Sequence, residues 1–183
     1  RLPREHEMDE SPIGITIADP SQPDNPLIYV NDGFCELTGY PRDEILGQNC
    51  RFLQGEATRE EPVARMRAAI DAEEPATVEL RNYRKEGPMF WNRVTIVPIR
   101  SDTGAVANYL GYQQDVTAEK RFEQDLTLFK EQAEGSDKSI MVTDPDGTIQ
   151  YVNPAFERMT GYTPGEVTGH TPRILKSGQQ DDA

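Results

Sequence analysis

Side chains alternate with a period of two through residues 76–84, where Val78, Leu80 and Asn82 share one face and Thr77, Glu79 and Arg81 the other. The same period covers 89–99, placing Asn92 with Val94 and Ile96, and 105–115, placing Gln113 with Tyr109 and Gly111. Lys85-Glu86-Gly87-Pro88 and Ser101-Asp102-Thr103-Gly104 supply the turns between these three strands. Upstream, Val63, Met66 and Ile70 recur at helical spacing, which predicts a helix beginning near Thr58, with Thr58 and Glu61 as a capping box and Pro62 in the first turn. Before it come a short β-rich run, a turn at Asp19-Pro20, a second strand and short helices. Two strands, helices, then three strands predict an α+β domain: a five-stranded antiparallel sheet with short helices on one face. Residues 116–134 lack strand breakers and read as a helix. Its stripe of Phe122, Leu126, Phe129 and Ala133 resembles a coiled coil two heptads long, ended by Gly135-Ser136. A spacer packed on its own domain and a dimerising, signal-carrying connector are both open.

The chain also repeats itself. Asp19-Pro20, Tyr29-Val30-Asn31, Phe34, Leu37-Thr38-Gly39-Tyr40, Glu44 and Gly47 return as Asp144-Pro145, Tyr151-Val152-Asn153, Phe156, Met159-Thr160-Gly161-Tyr162, Glu166 and Gly169. The first copy has three more residues within Ser21-Gln22-Pro23-Asp24-Asn25-Pro26. The expected organisation is an N-terminal extension (1–11), a whole domain (12–115), a helical linker (116–135) and the front of a sibling domain (136–183). A start at Arg1 and a stop inside the second pattern lead us to expect an excerpt from a longer protein.

Composition narrows the partners. Nineteen basic against 32 acidic side chains leave a formal charge of −13, a surface that repels phosphate backbones and argues against nucleic acid. Acid excess with scarce lysine also fits a high-salt source. No apolar run is long enough to span a membrane and no secretory signal precedes the domain, so no membrane partner is expected. The two cysteines, Cys35 and Cys50, form no disulfide framework and fit a reducing, cytoplasmic setting.

Three polar residues sit where apolar ones are expected. Asn82 and Asn92 share strand faces with aliphatic side chains, and Arg67 lies on or beside the stripe of the long helix. Buried without partners, each costs about 1–3 kcal/mol, more when charged. A polar, anionic ligand in the core accounts for all three better than mutual pairing does. The segment Gly47-Gln48-Asn49-Cys50-Arg51-Phe52-Leu53-Gln54 adds two amides, a second guanidinium and a thiol. Two arginines suit a dianionic phosphate through forked hydrogen bonds. Amides both donate and accept, as one edge of a flavin ring requires.

That eight-residue segment resembles the signature of LOV domains, the blue-light-sensing branch of the PAS superfamily, and the resemblance extends over about residues 12–115. It implies a PAS fold with FMN between sheet and helices. The thiol of Cys50 would lie under ring carbon 4a and bond to it reversibly after blue light, while nitrogen N5 gains a proton. Position by position, Asn49 and Gln54 would meet the ribityl chain, Arg51 and Arg67 the phosphate, and Asn82 and Asn92 the pyrimidine edge. Gln113 would sit by O4 and N5, where protonation obliges its amide to exchange acceptor for donor. Val63, Val78, Leu80, Val94 and Ile96 would line the ring pocket, Val94 replacing a larger aromatic often found there. Glu44 and Lys85 match positions that pair across the cleft. Between Gln54 and Arg67 there is no long insertion of the kind FAD-binding relatives carry, which favours FMN.

Cys35 reads as core. In the second copy Pro172-Arg173-Ile174-Leu175-Lys176 stands in place of Cys50 through Gln54, so thiol and glutamine are both missing and no photoadduct is expected there. Alternatives are a flavin redox sensor and a PAS module binding haem or a metabolite. Only His6 and His170 exist, neither inside the first domain, and neither a Gly-x-Gly-x-x-Gly nor a Cys-x-x-Cys motif occurs. The expectation is a sensory module, not an enzyme, with a possible homodimer through the linker helix.

Overall fold

A computed structural model describes residues 11–176. The predicted N-terminal extension, apart from Ser11, lies outside the described residues, as does His6. Elements in order are β1 (Gly14–Ala18), β2 (Leu27–Val30), α1 (Asp32–Thr38), α2 (Arg42–Ile45), a 3-10 turn (Cys50–Leu53), α3 (Glu60–Asp71), β3 (Ala76–Tyr83), β4 (Met89–Arg100), β5 (Val106–Asp115), α4 (Thr117–Glu134), β6 (Met141–Thr143), β7 (Ile149–Val152), α5 (Pro154–Thr160), α6 (Pro164–Val167) and a second 3-10 turn (Pro172–Leu175). The chain divides into two compact units between Lys120 and Arg121.

In the first unit, five antiparallel strands lie in the order β2-β1-β5-β4-β3. This is the predicted α+β class, with the helices on one face. Alternation decides that face: along β4, Phe90, Asn92, Val94 and Ile96 are buried while their neighbours are half-buried. Two apolar clusters flank the interior. Leu27, Val30, Phe34, Ile45 and Leu53 form one, with Cys35 and Cys50 packed against it. Val78, Leu80, Val94 and Ile96 form the other, covered by Met66 and Ile70 of α3.

Asn31 fixes how α1 joins the sheet. Its Oδ1 caps Phe34 N at 2.9 Å and accepts from Ile15 N at 2.7 Å, while Nδ2 donates to Ile13 O at 2.9 Å. α3 does not begin as predicted. Its N-cap is Arg59, without a side-chain cap, because Thr58 Oγ1 donates to Arg81 O at 2.6 Å and accepts from Gly55 N at 3.0 Å. A partner from β3 outcompetes the capping box.

The start of α4 is anchored on the sheet. Val116 N donates to Trp91 O at 2.9 Å, and Trp91 N to Thr117 Oγ1 at 2.9 Å. Arg93 pairs with Glu119 at 2.9 Å, and Lys120 with Glu79 at 2.5 Å. Asp115, closing β5, accepts from Thr117 N at 2.8 Å and pairs with Arg84 at 2.5 Å. Burial pulls its carboxyl upward, but these partners hold it below the usual carboxylate value.

The second unit reproduces the front of the first. Asn153 caps α5 as Asn31 caps α1, accepting from Phe156 N at 3.0 Å and Ile140 N at 2.8 Å. The 3-10 turn recurs with Pro172 in the place of Cys50. In this unit Ala133 of α4 is buried, its carbonyl accepting from Asn153 Nδ2 at 2.7 Å, and Phe129 meets Tyr151 edge to face. The rest of the stripe is open: Phe122 is 70% exposed and Leu126 44%. No helix among the described residues is long and apolar enough to cross a membrane.

Candidate functional site

Between the sheet and the helices of the first unit lies a cavity of about 120 Å³. Thr16 and Ala18 come from β1, Leu80 and Asn82 from β3, Val94 and Ile96 from β4, and Tyr109, Gly111 and Gln113 from β5. The opposite wall is Leu27 with Asn49, Cys50, Arg51, Leu53 and Gln54 of the 3-10 turn and its flanks, then Met66 and Ile70 of α3. A wider space of about 210 Å³ opens at the mouth, bounded by Asn25, Asn49, Arg51, Gln54, Val63, Met66, Arg67, Ile70 and Asp71. The inner part is aliphatic with a polar end, and the mouth is charged.

A relay of amides makes the polar end. Asn92 is fully buried, and its Nδ2 donates to Asn82 Oδ1 at 2.9 Å and Gln113 Oε1 at 2.7 Å. Asn82 Nδ2 donates to Leu53 O at 3.2 Å. Gln113 Nε2 donates to Cys50 Sγ at 3.4 Å, a reach that sulfur acceptors permit. Only Asn92 Oδ1 in this relay has no partner. An unsatisfied buried carbonyl costs about 1–3 kcal/mol. The sheet supplies the geometry: Leu80 is paired with Asn92, and Val94 with Gln113, so the amides come from three neighbouring strands facing one interior.

Cys50 opens the 3-10 turn under the cap of Asn49, whose Oδ1 accepts from Arg51 N at 3.0 Å. Burial pushes the Cys50 thiol up to about 11, against which the Gln113 amide works weakly. At neutral pH the sulfur therefore carries its proton. At the mouth, Arg51 is paired with Asp24, and Arg67 with Glu60 at 3.5 Å.

Several expectations need correction. Arg67 does not point into the interior: its side chain is 65% exposed, because a long stem beside the stripe carries the guanidinium out to the mouth. Val63 borders the mouth, not the inner cavity. Val78 packs within its aliphatic cluster and does not line either space. Asn92 stands behind the lining and acts through Asn82 and Gln113. Asn49, Cys50, Arg51, Gln54, Leu80, Asn82, Val94, Ile96 and Gln113 are brought together on the inner cavity, and Glu44 pairs with Lys85 at 2.7 Å. Sequence reasoning missed Asn25, Thr16, Tyr109 and Gly111 as lining. The three extra residues around Asn25 were a signal, and the shared face of Tyr109, Gly111 and Gln113 was another. Among the described residues no cluster fits a metal ion.

The sheet order, the asparagine-capped helix beside it and the cleft between define a sensor fold, and the sequence profile of the PAS domain matches residues 12–118 and again 137–183. The chain belongs to the PAS domain family. Its first copy is a LOV domain, the blue-light photoreceptor branch of that family. The "Bacterioopsin transcriptional activator" of Halobacterium salinarum is 47% identical over 123 residues, 67% of this chain and 18% of that protein. The "Blue-light photoreceptor" of Listeria monocytogenes is 47% identical over 116 residues, 63% of this chain and 46% of that protein. A solved LOV domain described with a flavin analogue is 44% identical with a TM-score of 0.58, covering 64% of this chain and 88% of that one. The chain thus spans less than half the length of these two curated relatives.

Proposed function

We propose that residues 12–115 are the flavin-binding, blue-light-sensing part of a longer cytoplasmic signalling protein, with FMN as the flavin. Residues 116–135 would be its helical linker and 136–183 the front of a second PAS domain. The observation that carries this reading is the contact between Cys50 Sγ and the Gln113 amide, at the end of an amide relay with one unpartnered acceptor. Excited by blue light, a bound flavin supplies an electrophilic ring carbon, C4a, beside a proton-accepting nitrogen, N5. Cys50 would be the residue that offers a sulfur for reversible bonding to that carbon and a proton for that nitrogen, and its elevated pKa keeps the proton in place in the dark. Asn82 and Gln113, backed by Asn92, hold the polar edge; Leu80, Val94 and Ile96 hold the ring; Asn49 and Gln54 hold the chain leading to Arg51 and Arg67. Gln113 presents an NH2 at one end of its amide and a carbonyl oxygen at the other, so a partner that gained a proton opposite the NH2 would favour the amide turned over.

Gln113 lies two residues before Asp115, which caps the start of α4. The turned amide therefore strains the strand that anchors the linker, and the open stripe of Phe122 and Leu126 offers a surface for a second copy of the chain. The module senses and does not turn over a substrate.

The test is an absorption spectrum before and after blue light, with hydrogen exchange of residues 117–134 in both states. A structured flavin band that bleaches and returns in darkness is expected, with Cys50→Ala yellow but unresponsive. Linker amides should lose protection in the light. A colourless protein when flavin is supplied, or a yellow one indifferent to light, would overturn the proposal. Equal protection in both states would overturn the linker route alone.

A further inference from the structure

The arginine at the cavity mouth already holds a carboxylate. Asp24 stands in the segment where the first copy is three residues longer than the second. Asp19 braces that loop, accepting from Ser21 N at 2.9 Å and Gln22 Nε2 at 2.7 Å, while its own N–H donates to Pro26 O at 3.0 Å. Asp24 and Asn25 take φ of 72° and 48°, in the left-handed region that these two residue types tolerate best after glycine. Asn49 Nδ2 donates to Asp24 O at 2.6 Å and fixes the loop against the 3-10 turn. Thus placed, the Asp24 carboxylate meets both arms of the Arg51 fork, one of them at 2.9 Å.

Arg67, the other cation at the mouth, has Glu60 at 3.5 Å, and Asp71 borders the same space. Two guanidiniums there face three carboxylates. A dianionic phosphate must compete with Asp24 for Arg51, whose fork that carboxylate already engages, and then lie close to it. A flavin without the phosphate leaves the pair intact and loses nothing at this end. From this arrangement, and resting on the flavin reading above, we infer that Asp24 is a specificity-determining residue. By occupying Arg51, it lowers the premium on a phosphorylated flavin, so that riboflavin binds nearly as well as FMN.

The pair is more than half exposed on both sides, so its influence is a small factor and not orders of magnitude. Asp24→Asn removes both the competitor and the repulsion. It should raise the preference for FMN over riboflavin by roughly three- to ten-fold at low salt, and by much less near 1 M salt, where charges are screened within about 3 Å.

The experiment is a pair of fluorescence titrations of the ligand-free 183-residue chain, with FMN and with riboflavin, each at low and high salt. The native chain should bind the two within about tenfold of one another. Asp24→Asn should widen the ratio, and Asp24→Glu, which keeps the charge, should leave it close to native. Riboflavin is the internal reference, because a general loss of fold weakens both ligands and cancels in the ratio. A native preference for FMN above about a hundredfold would overturn the inference, as would an Asp24→Asn ratio equal to native while both flavins bind. Failure of the native chain to bind either flavin would overturn the flavin reading, and the role of Asp24 with it.

Discussion

Alkaline pH should weaken this fold through a single thiol. Burial raises Cys50 from an ordinary 9.0 to about 11. Between those values the folded chain keeps a proton that the unfolded chain has given up, so unfolding free energy falls as pH rises. The contribution is present in full below about pH 9, is lost as pH climbs towards about 11, and levels off once both states carry thiolate. A shift of that size, at about 1.4 kcal/mol per pKa unit, amounts to about 3 kcal/mol, a large share of the stability of an ordinary domain. Cys50→Ala removes the titrating group and leaves only a sulfur-sized gap. Tyrosines and lysines titrate in the same range but are common to both proteins, so they cancel in the difference. The assay is urea unfolding of the ligand-free chain, followed by far-UV circular dichroism from about pH 7 to about pH 11. The stability of the native chain relative to Cys50→Ala should fall by about 2 kcal/mol by about pH 11, where the folded thiol is half ionised. A difference constant to within about 0.5 kcal/mol would mean that the thiol ionises as in water, and the dark-state argument about its proton would fail.

Two further outcomes test the packing around the cavity. Asn92→Leu should cost about 2–4 kcal/mol in the same unfolding assay, because Asn82 Oδ1 and Gln113 Oε1 would both lose their buried donor; a loss below about 0.5 kcal/mol would mean that the relay is wet. Gly33→Ala should destabilise by about 1–3 kcal/mol, since a Cβ there meets Ser11 O at 2.4 Å and Ile13 O at 2.9 Å, and backbone cannot swing aside. A thermal midpoint equal to the native one would show that the lead into β1 is not packed on α1.

The strands were legible because alternation is a local property. The predicted ranges 76–84, 89–99 and 105–115 meet β3, β4 and β5 to within one residue at either end. Asn82 and Asn92 were legible for the same reason, since a polar residue on an apolar face declares itself; Gln113, on a face with Tyr109 and Gly111 and next to Gln114, was marked only by the family resemblance. Arg67 misled because it borders the stripe of α3 while its charge travels along a flexible stem to the mouth. Thr58 misled because its hydroxyl finds Arg81 O, a partner 23 positions away that no local motif encodes. Asn25 enters the cavity through a loop excursion, which has no sequence period, whereas Tyr109 shares the alternating face of Gly111 and Gln113 that was there to be read. Asp24 was visible only as part of an insertion. Its meeting with Arg51 needs the fold.

β1 and β5 run side by side at the middle of the sheet, with Gly14 opposite Gln113. In an antiparallel pair such residues lie about 5 Å apart. The polypeptide therefore arrives and departs at almost the same spot, like a loop closed at its base. A unit built this way slots into a larger architecture without prising its host apart, much as an inserted cassette does. That suits a chain whose match takes in 18% of one relative's length and 46% of another's.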